Sequence, residues 1–261
     1  MNIIVCIKQV PDTTKVKIDP ETNTLVREGV KSIINPFDMY ALEEAIRTKE
    51  KVGGNISVLT MGPPQAAEAL REAIAMGVDD VYLLSDRAFA GADTLATSYT
   101  LSKGIEKIEQ FDLIICGKQT IDGDTGQVGP EVAQKLGIPV VTYVSKIENI
   151  KNGQIKLKRM VEDGYEVIEA ETPLLITVVK EINEPRMPSL RGTMKAKKAE
   201  IPTWNANDIG AESERAGLSG SPTQVVRIFA PEISKKCEIL EGEPTEIAEK
   251  LIKKLKKGKV I

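Results

Sequence analysis

From residue 2 to about 147, short β-branched apolar runs alternate with longer segments of helical periodicity, and few folds accommodate that alternation. "NIIVCI" (2–7), "NISVLT" (55–60), "DVYLLS" (80–85), "DLIICG" (112–117) and "PVVTYV" (139–144) read as buried strands. The segments between them carry helix signals. Asn35 is a candidate N-cap with Pro36 at the first helical position, and Ala41, Leu42, Ala45 and Ile46 recur at helical spacing. "PPQAAEALREAIAMG" opens on prolines and stops at Gly77, "DTLATSYTLSKGIEKI" opens on a capping Asp93, and "GPEVAQKLG" stops at Gly137. Strands separated by helices predict an α/β fold with a doubly wound, mainly parallel sheet.

Two departures extend this pattern. "KVKIDPETNTLVREG", between the first strand and the first helix, has hairpin-turn chemistry, and from about 147 an Asn-Gly turn (152–153) and an Asp-Gly turn (163–164) separate alternating segments. Antiparallel strands added to the parallel sheet are the expectation. After about residue 183 prolines and polar runs dominate for some sixty residues, a length without periodicity that is uncommon inside a compact domain. The stretch ends in "PTEIAEKLIKKLKK", where Ile247, Ala248, Leu251, Ile252 and Leu255 make one apolar face. The division expected is a nucleotide- or flavin-binding α/β domain over 1–182 and a partner-binding arm with a terminal docking helix over 183–261.

Composition removes whole classes of chemistry. The 261 residues include no histidine, which takes away the commonest general base, every Ser-His or Cys-His pair and the commonest metal ligand. No catalytic side chain and no metal ligand is assigned. Redox chemistry carried by a bound cofactor survives this exclusion. A net charge of −3 offers no footprint for a nucleic-acid backbone. Cys6, Cys116 and Cys237 form no Cys-x-x-Cys pair, no apolar run reaches the roughly 18 residues of a membrane span, and the N-terminus has no cleavage site. The expectation is a cytoplasmic chain without membrane or nucleic-acid partners.

The stretch "GKQTIDGDTGQVGPEVAQKLG" (117–137) packs glycines and small polar residues between an apolar strand and a helix. In open α/β sheets ligands sit beyond the carboxyl ends of the strands, where strand order reverses. Backbone amides of such a loop and the positive end of the helix dipole suit an anion, most simply a phosphate. "CIKQVPD", "NPFD" and "TMGPP" also fall at strand–helix junctions and could complete a nucleotide site. The spacing is neither a Walker loop nor G-x-G-x-x-G, and a tight turn capped by Asp122 and Asp124 satisfies it equally.

Taken together, "VCIKQVPD", "INPFD…ALEEA", "MGP", "GKQTIDGDTGQVGP", "KRMVEDGYEVIEAETPLLITVVKEINEPR" and "PSLRGTMKAKK" resemble, in order and over nearly the whole chain, the β subunits of the electron-transferring flavoproteins. Leu157 departs from the family pattern at one flanking position. The resemblance implies an adenine-nucleotide-binding (HUP-like) fold of strand order 3-2-1-4-5 and an obligate heterodimer with a homologous α subunit that carries FAD. The crevice holds AMP in simple electron-shuttling members and a second FAD in bifurcating members. Family nucleotide contacts map onto Cys6, Asn35, Pro36, Phe37, Asp38, Met61 and the loop Gly117, Lys118, Gln119, Thr120, Ile121, Asp122, Gly123, Asp124, Thr125, Gly126, Gln127 and Val128. Lys8, immediately after the first strand, is a candidate for tuning a flavin, with a solvated loop lysine as the plainer reading.

AMP-type members commonly carry Asn-Gln-Thr where this chain has Gly126-Gln127-Val128. Losing side-chain donors while keeping glycine suits a pyrophosphate held by amides, so FAD is favoured here, with AMP the alternative. For the FAD form the resemblance implies hydride from NADH, one electron passed to ferredoxin and the other, through the α-subunit FAD, to a flavin-dependent dehydrogenase for an acyl-CoA, an enoyl-CoA or a hydroxy acid. "RMPSLRGTMKAKK" is similar to the family's recognition loop. Leu190 matches its exposed anchor, flanked by Arg186, Arg191 and Lys195, and Met187 stands where relatives often have an aromatic. A stand-alone nucleotide sensor of the universal-stress type fits poorly, because Gly126-x2-Gly129 is followed by Gly137-Ile138. An adenylating ATPase fits poorly because "KQVPD" is not a Ser-Gly-Gly loop.

Overall fold

The computed structural model describes residues 1–12, 17–18, 25–26, 32–226 and 238–261. Its centre is one nine-stranded sheet. The parallel part contains β1 (Asn2–Cys6), β6 (Asn55–Met61), β7 (Asp80–Leu84), β8 (Leu113–Gly117), β9 (Val140–Lys151), β12 (Leu174–Val178) and β13 (Thr203–Trp204). Two antiparallel strands, β10 (Gln154–Val161) and β11 (Gly164–Glu171), extend it beyond β9, giving the order β11-β10-β9-β12-β8-β1-β6-β7-β13. Before the first helix, β2 (Gln9–Pro11) pairs antiparallel with β5 (Ser32–Ile34), and β3 (Lys17–Ile18) with β4 (Leu25–Val26). The turn expected between the latter two lies outside the described residues, as does Cys237.

Successive strand residues point to opposite faces, and the apolar runs fill both. Ile3, Val5, Leu113 and Ile115 pack under α1 (Pro36–Val52) and α2 (Ala67–Met76), through Ala41, Leu42, Ala45, Leu70 and Ala73. Ile4, Cys6, Ile114 and Cys116 face the other way, against α3 (Thr94–Ile108) and α4 (Val128–Leu136), through Leu101, Ile105, Val132 and Ala133. Helices on both faces of a mostly parallel sheet make the doubly wound α/β fold. Asp93 caps α3 by accepting the Ala96 amide at 3.1 Å, and α4 ends at a left-handed Gly137.

The place beside β8 belongs to β12 and not to the 139–144 run, which begins β9 one step further out. Burial explains the choice. All five β12 residues, Leu174 to Val178, are buried, as a strand flanked on both sides requires, whereas β9 alternates between buried and exposed residues.

The aperiodic stretch after residue 183 is held to the body as far as Thr223. Asn183 donates to the Tyr40 carbonyl and to Glu44, and α5 (Leu190–Lys198) packs on α2, where Arg71 reaches the carbonyls of Ala196 and Ala199 at 2.9 and 2.8 Å. Further on, Asp86 accepts the Ala206 amide, the Tyr99 hydroxyl accepts that of Glu212, and Asp93 accepts both the amide and the hydroxyl of Thr223. Residues 1–227 are thus one compact unit, and residues 228–261, with α6 (Pro244–Lys257), are another.

Candidate functional site

β1 leads by way of α1 to β6 on one side, while β8 lies on its other side, so strand order reverses between β1 and β8. Their carboxyl ends open the crevice in which α/β folds bind ligands. Three segments meet there: the end of β1 at Ile7 and Lys8, the first turn of α1, and the loop from Gly117 to Gln127 that enters α4.

Asn35 organises the junction. Its side chain is fully buried and makes no cap bond to α1. Instead its Nδ2 donates to the Gln119 carbonyl at 2.9 Å and its Oδ1 accepts the Ile121 amide at 3.1 Å, while its own amide donates to the Lys8 carbonyl at 2.8 Å. The side chain therefore satisfies a carbonyl and an amide of the loop, while the main-chain amide of the same residue ties it to the end of β1. Thr60 adds a second tie, its hydroxyl donating to the Ile7 carbonyl at 2.8 Å.

Asp38, also buried, accepts the Lys8 amide at 2.7 Å, and the Gly117 amide and the Asn35 side chain also favour its ionised form. Burial outweighs these contacts and raises its pKa from an ordinary 3.8 to about 7. A Cβ at residue 117 would lie 2.4 Å from Asp38 Oδ1 and 2.7 Å from the Phe37 carbonyl carbon, so only glycine lets β8 end this close to α1.

The rest of the loop is shaped by its own contacts. The Lys118 amide donates to the Val178 carbonyl, the Asp124 amide closes a turn on the Thr120 carbonyl at 2.8 Å, and Gln119 donates to Asp124. Asp124 (φ 55°) and Gly126 (φ 63°) take left-handed backbone just before α4. Gly129 lets α4 sit against the sheet, since a Cβ there would come within 2.7 Å of Thr177 Cγ2. The first amides of α4 have no carbonyl one turn back, and they open toward the loop. Lys8 spans the mouth, its Nζ 2.7 and 2.8 Å from the two Asp122 oxygens. Partial burial opposes ionisation of Asp122, but the Lys8 hydrogen bond and charge together hold its carboxyl below the usual range.

The structure thus brings together Lys8, Asn35, Pro36, Phe37, Asp38 and the loop from Gly117 to Val128. Cys6 and Cys116 are registered neighbours within the sheet, and the Cys6 contact and burial push the Cys116 thiol well up, which suits packing more than reactivity. Met61 is half-buried at the end of β6. Tyr143 is a residue at the crevice that sequence reasoning missed. A register shift where β9 meets β12 leaves it at φ 58°, rare for an aromatic, and the residue is 44% exposed. Lys118 Nζ lies between its ring and that of Phe37, 5.7 and 5.2 Å from the two centroids. Tyr143 lies in an alternating run, and only a bulge re-aims it.

The recognition-loop residues form a different surface, on α5. Leu190 is 80% exposed, with Met187 and Met194 also exposed, and Arg191 stands free to solvent nearby. Lys195 reaches the Val78 carbonyl. Arg186 turns inward, donating to Glu43 and to Glu50, with Glu43 also held by Arg47. It shapes the approach to the loop more than it presents charge. Among the described residues no group of His, Cys, Asp and Glu side chains is arranged to hold a metal, and no helix is long and apolar enough to cross a membrane.

Sheet order, switch-point crevice and amide-lined loop define a doubly wound α/β protein of nucleotide-binding architecture. Residues 22–209 match the family described as Electron transfer flavoprotein domain. Across the full length of both chains, the sequence is 54% identical to an electron transfer flavoprotein subunit beta of Thermoanaerobacterium thermosaccharolyticum and 53% identical to the caffeyl-CoA reductase-Etf complex subunit CarD of Acetobacterium woodii. It is 46% identical to Protein FixA of Azotobacter vinelandii, over 98% of this chain and 94% of that one. The chain belongs to the electron transfer flavoprotein family, as a β subunit, and β subunits of this family pair with an α subunit.

Proposed function

We propose that this chain is the β subunit of an electron-bifurcating flavoprotein: it binds FAD in the switch-point crevice, receives hydride from NADH, and with its α subunit serves ferredoxin and a flavin-dependent dehydrogenase. The observation that carries the reading is the main-chain shape of the loop from Gly117 to Val128, which has glycine and valine at 126 and 128 on either side of Gln127. Gly117 has no room for a Cβ, Asn35 turns the Gln119–Ile121 peptides, and left-handed Asp124 and Gly126 lead to the open amides of α4. Such a cradle suits an anion that continues beyond it better than a lone terminal phosphate.

The site residues fit the nucleotide. Loop amides and the α4 terminus would hold phosphate, and Lys8 is placed to neutralise it once its bond to Asp122 opens. When bound, FAD supplies hydride acceptance and one-electron transfer. The chain's part is to orient it and to place its ring with respect to Phe37, Lys118 and Tyr143. No side chain acts as an acid or base. Full-length likeness to a subunit of a caffeyl-CoA reductase-Etf complex supports an enoyl-CoA dehydrogenase among the partner classes. The runner-up reading is a simple electron shuttle with AMP in the same loop.

The two readings separate on composition. The complex with the α subunit is purified and denatured, and the released nucleotides are quantified by chromatography. Two FAD per heterodimer, with flavin reduction by NADH, is the expected result. One FAD with one AMP, and no reaction with NADH, would replace it with the shuttle reading.

A further inference from the structure

We infer that Asp122 competes with nucleotide phosphate for the Lys8 ammonium, as an anion of the loop itself that the ligand must displace. Resting on the nucleotide reading above, this makes the Lys8–Asp122 pair an autoinhibitory contact at the mouth of the crevice. Lys8 Nζ lies 2.8 and 2.7 Å from the two Asp122 oxygens, so one carboxylate takes two of the three donors of the ammonium and neutralises its charge. An arriving phosphate meets a neutral pair in place of a free cation. The nearer it comes to Lys8, the nearer it also comes to a like charge.

The main chain on both sides of this bridge is fixed. Lys8 donates its amide to Asp38 at 2.7 Å, and its carbonyl accepts the Asn35 amide at 2.8 Å. Asp122 lies inside the turn that the Asp124 amide closes on the Thr120 carbonyl, and the amide of the residue before it, Ile121, is held by Asn35 at 3.1 Å. Rotation of the two side chains is therefore enough to open the bridge, with the crevice walls left in place.

The strength of the pair suits an exchange. Its side chains are 46% and 28% exposed, and a pair in that setting is worth no more than about fivefold in an equilibrium constant. Neighbouring charges do not relieve the competition. Lys118 Nζ is taken up between the Phe37 and Tyr143 rings, 5.2 and 5.7 Å from their centroids, while Asp38 and Asp124 add carboxylates. Release of a bound nucleotide is helped by the same contact, because Asp122 stands beside Lys8 to take the ammonium back.

The test is equilibrium dialysis of the full-length chain, of Asp122→Asn and of Asp122→Ser. It is run at about 0.02 M salt, where charges act over roughly 20 Å, and at about 0.5 M, where they act over roughly 4 Å. The probes are FAD and the methyl phosphodiester of AMP, with adenosine as a phosphate-free control. At low salt both variants should bind the two phosphate probes about two- to fivefold more tightly than the wild type, with no gain for adenosine, and the advantage should vanish at high salt. In a Lys8→Met background the same substitutions should give a smaller gain, since no ammonium is then released. Equal or weaker binding of the phosphate probes by the variants would overturn the inference, as would an undiminished gain without Lys8, which would show repulsion in place of competition. A variant that loses adenosine as well, or that does not fold, would mark Asp122 as a structural support of the loop and overturn it too. Binding of neither phosphate probe to any of these chains would remove the nucleotide reading itself, and this inference with it.

Discussion

At the scale of single residues, close approach constrains the crevice more than charge does. Gly117→Ala drives a methyl into Asp38 Oδ1 and the Phe37 main chain, and a backbone atom cannot swing aside. The expected cost is at or above the roughly 1–3 kcal/mol typical of overpacking, with loss of bound nucleotide, read from urea unfolding and from nucleotide content. Gly129→Ala meets the Thr177 methyl, a side-chain atom and not main chain, and should cost less. Lys8→Met belongs to another class. The Lys8–Asp122 pair is partly exposed, with side-chain exposures of 46% and 28%, so its removal should change stability by under about 1 kcal/mol. If Lys8 neutralises the bound anion, nucleotide affinity should nevertheless fall several-fold, a split between unfolding and binding that a merely solvated lysine would not produce.

Among the elements, what could be read from the sequence is what depends on local pattern. The alternation of apolar runs and helices is local, as are the Asp93 cap, the Gly137 stop and the glycine-rich loop, and all were legible. The neighbour of β8 is not local. "PLLITVV" and "PVVTYV" are both apolar and β-branched, and only the complete burial of Leu174 to Val178 distinguishes the inner strand. Asn35 was legible as a helix start, but not as the clamp on Gln119 and Ile121, because its partners lie 84 and 86 residues away. Arg186 illustrates the same limit. The resemblance placed it beside Leu190 on a partner surface, and its guanidinium is paired within the chain to Glu43 and Glu50 on α1. Glu43 has a side chain only 2% exposed, so Arg186→Met leaves a buried carboxylate with Arg47 as its remaining partner. The loss should fall at or below the lower end of the roughly 3–5 kcal/mol seen for broken buried pairs. Proteolysis should quicken between residues 184 and 190, while nucleotide content, set at the other end of α1, stays unchanged.

For the molecule as a whole, the two hydrophobic clusters divide the labour of folding from that of assembly. Every residue of both lies between Ile3 and Ala216, within the unit that ends at Arg227. α6, by contrast, has no buried residue, and Leu251 and Ile252 on its apolar face are about half exposed. A 14-residue helix of this kind is marginal in water unless something covers that face. The sequence reading of this segment as a docking helix therefore makes a prediction about a truncated chain. A version ending at Arg227 should unfold cooperatively with a midpoint within a few degrees of the full chain, since a loss of about 1 kcal/mol would already shift a domain of this size by roughly 2–4 °C. It should also keep its affinity for the phosphate probes, because the loop, Asn35 and Asp38 lie in the retained unit. Co-purification with the α subunit should drop sharply. A large loss of thermal stability in the truncated chain would instead assign α6 to the fold of this subunit, and unchanged co-purification would place the heterodimer contact wholly within residues 1–227.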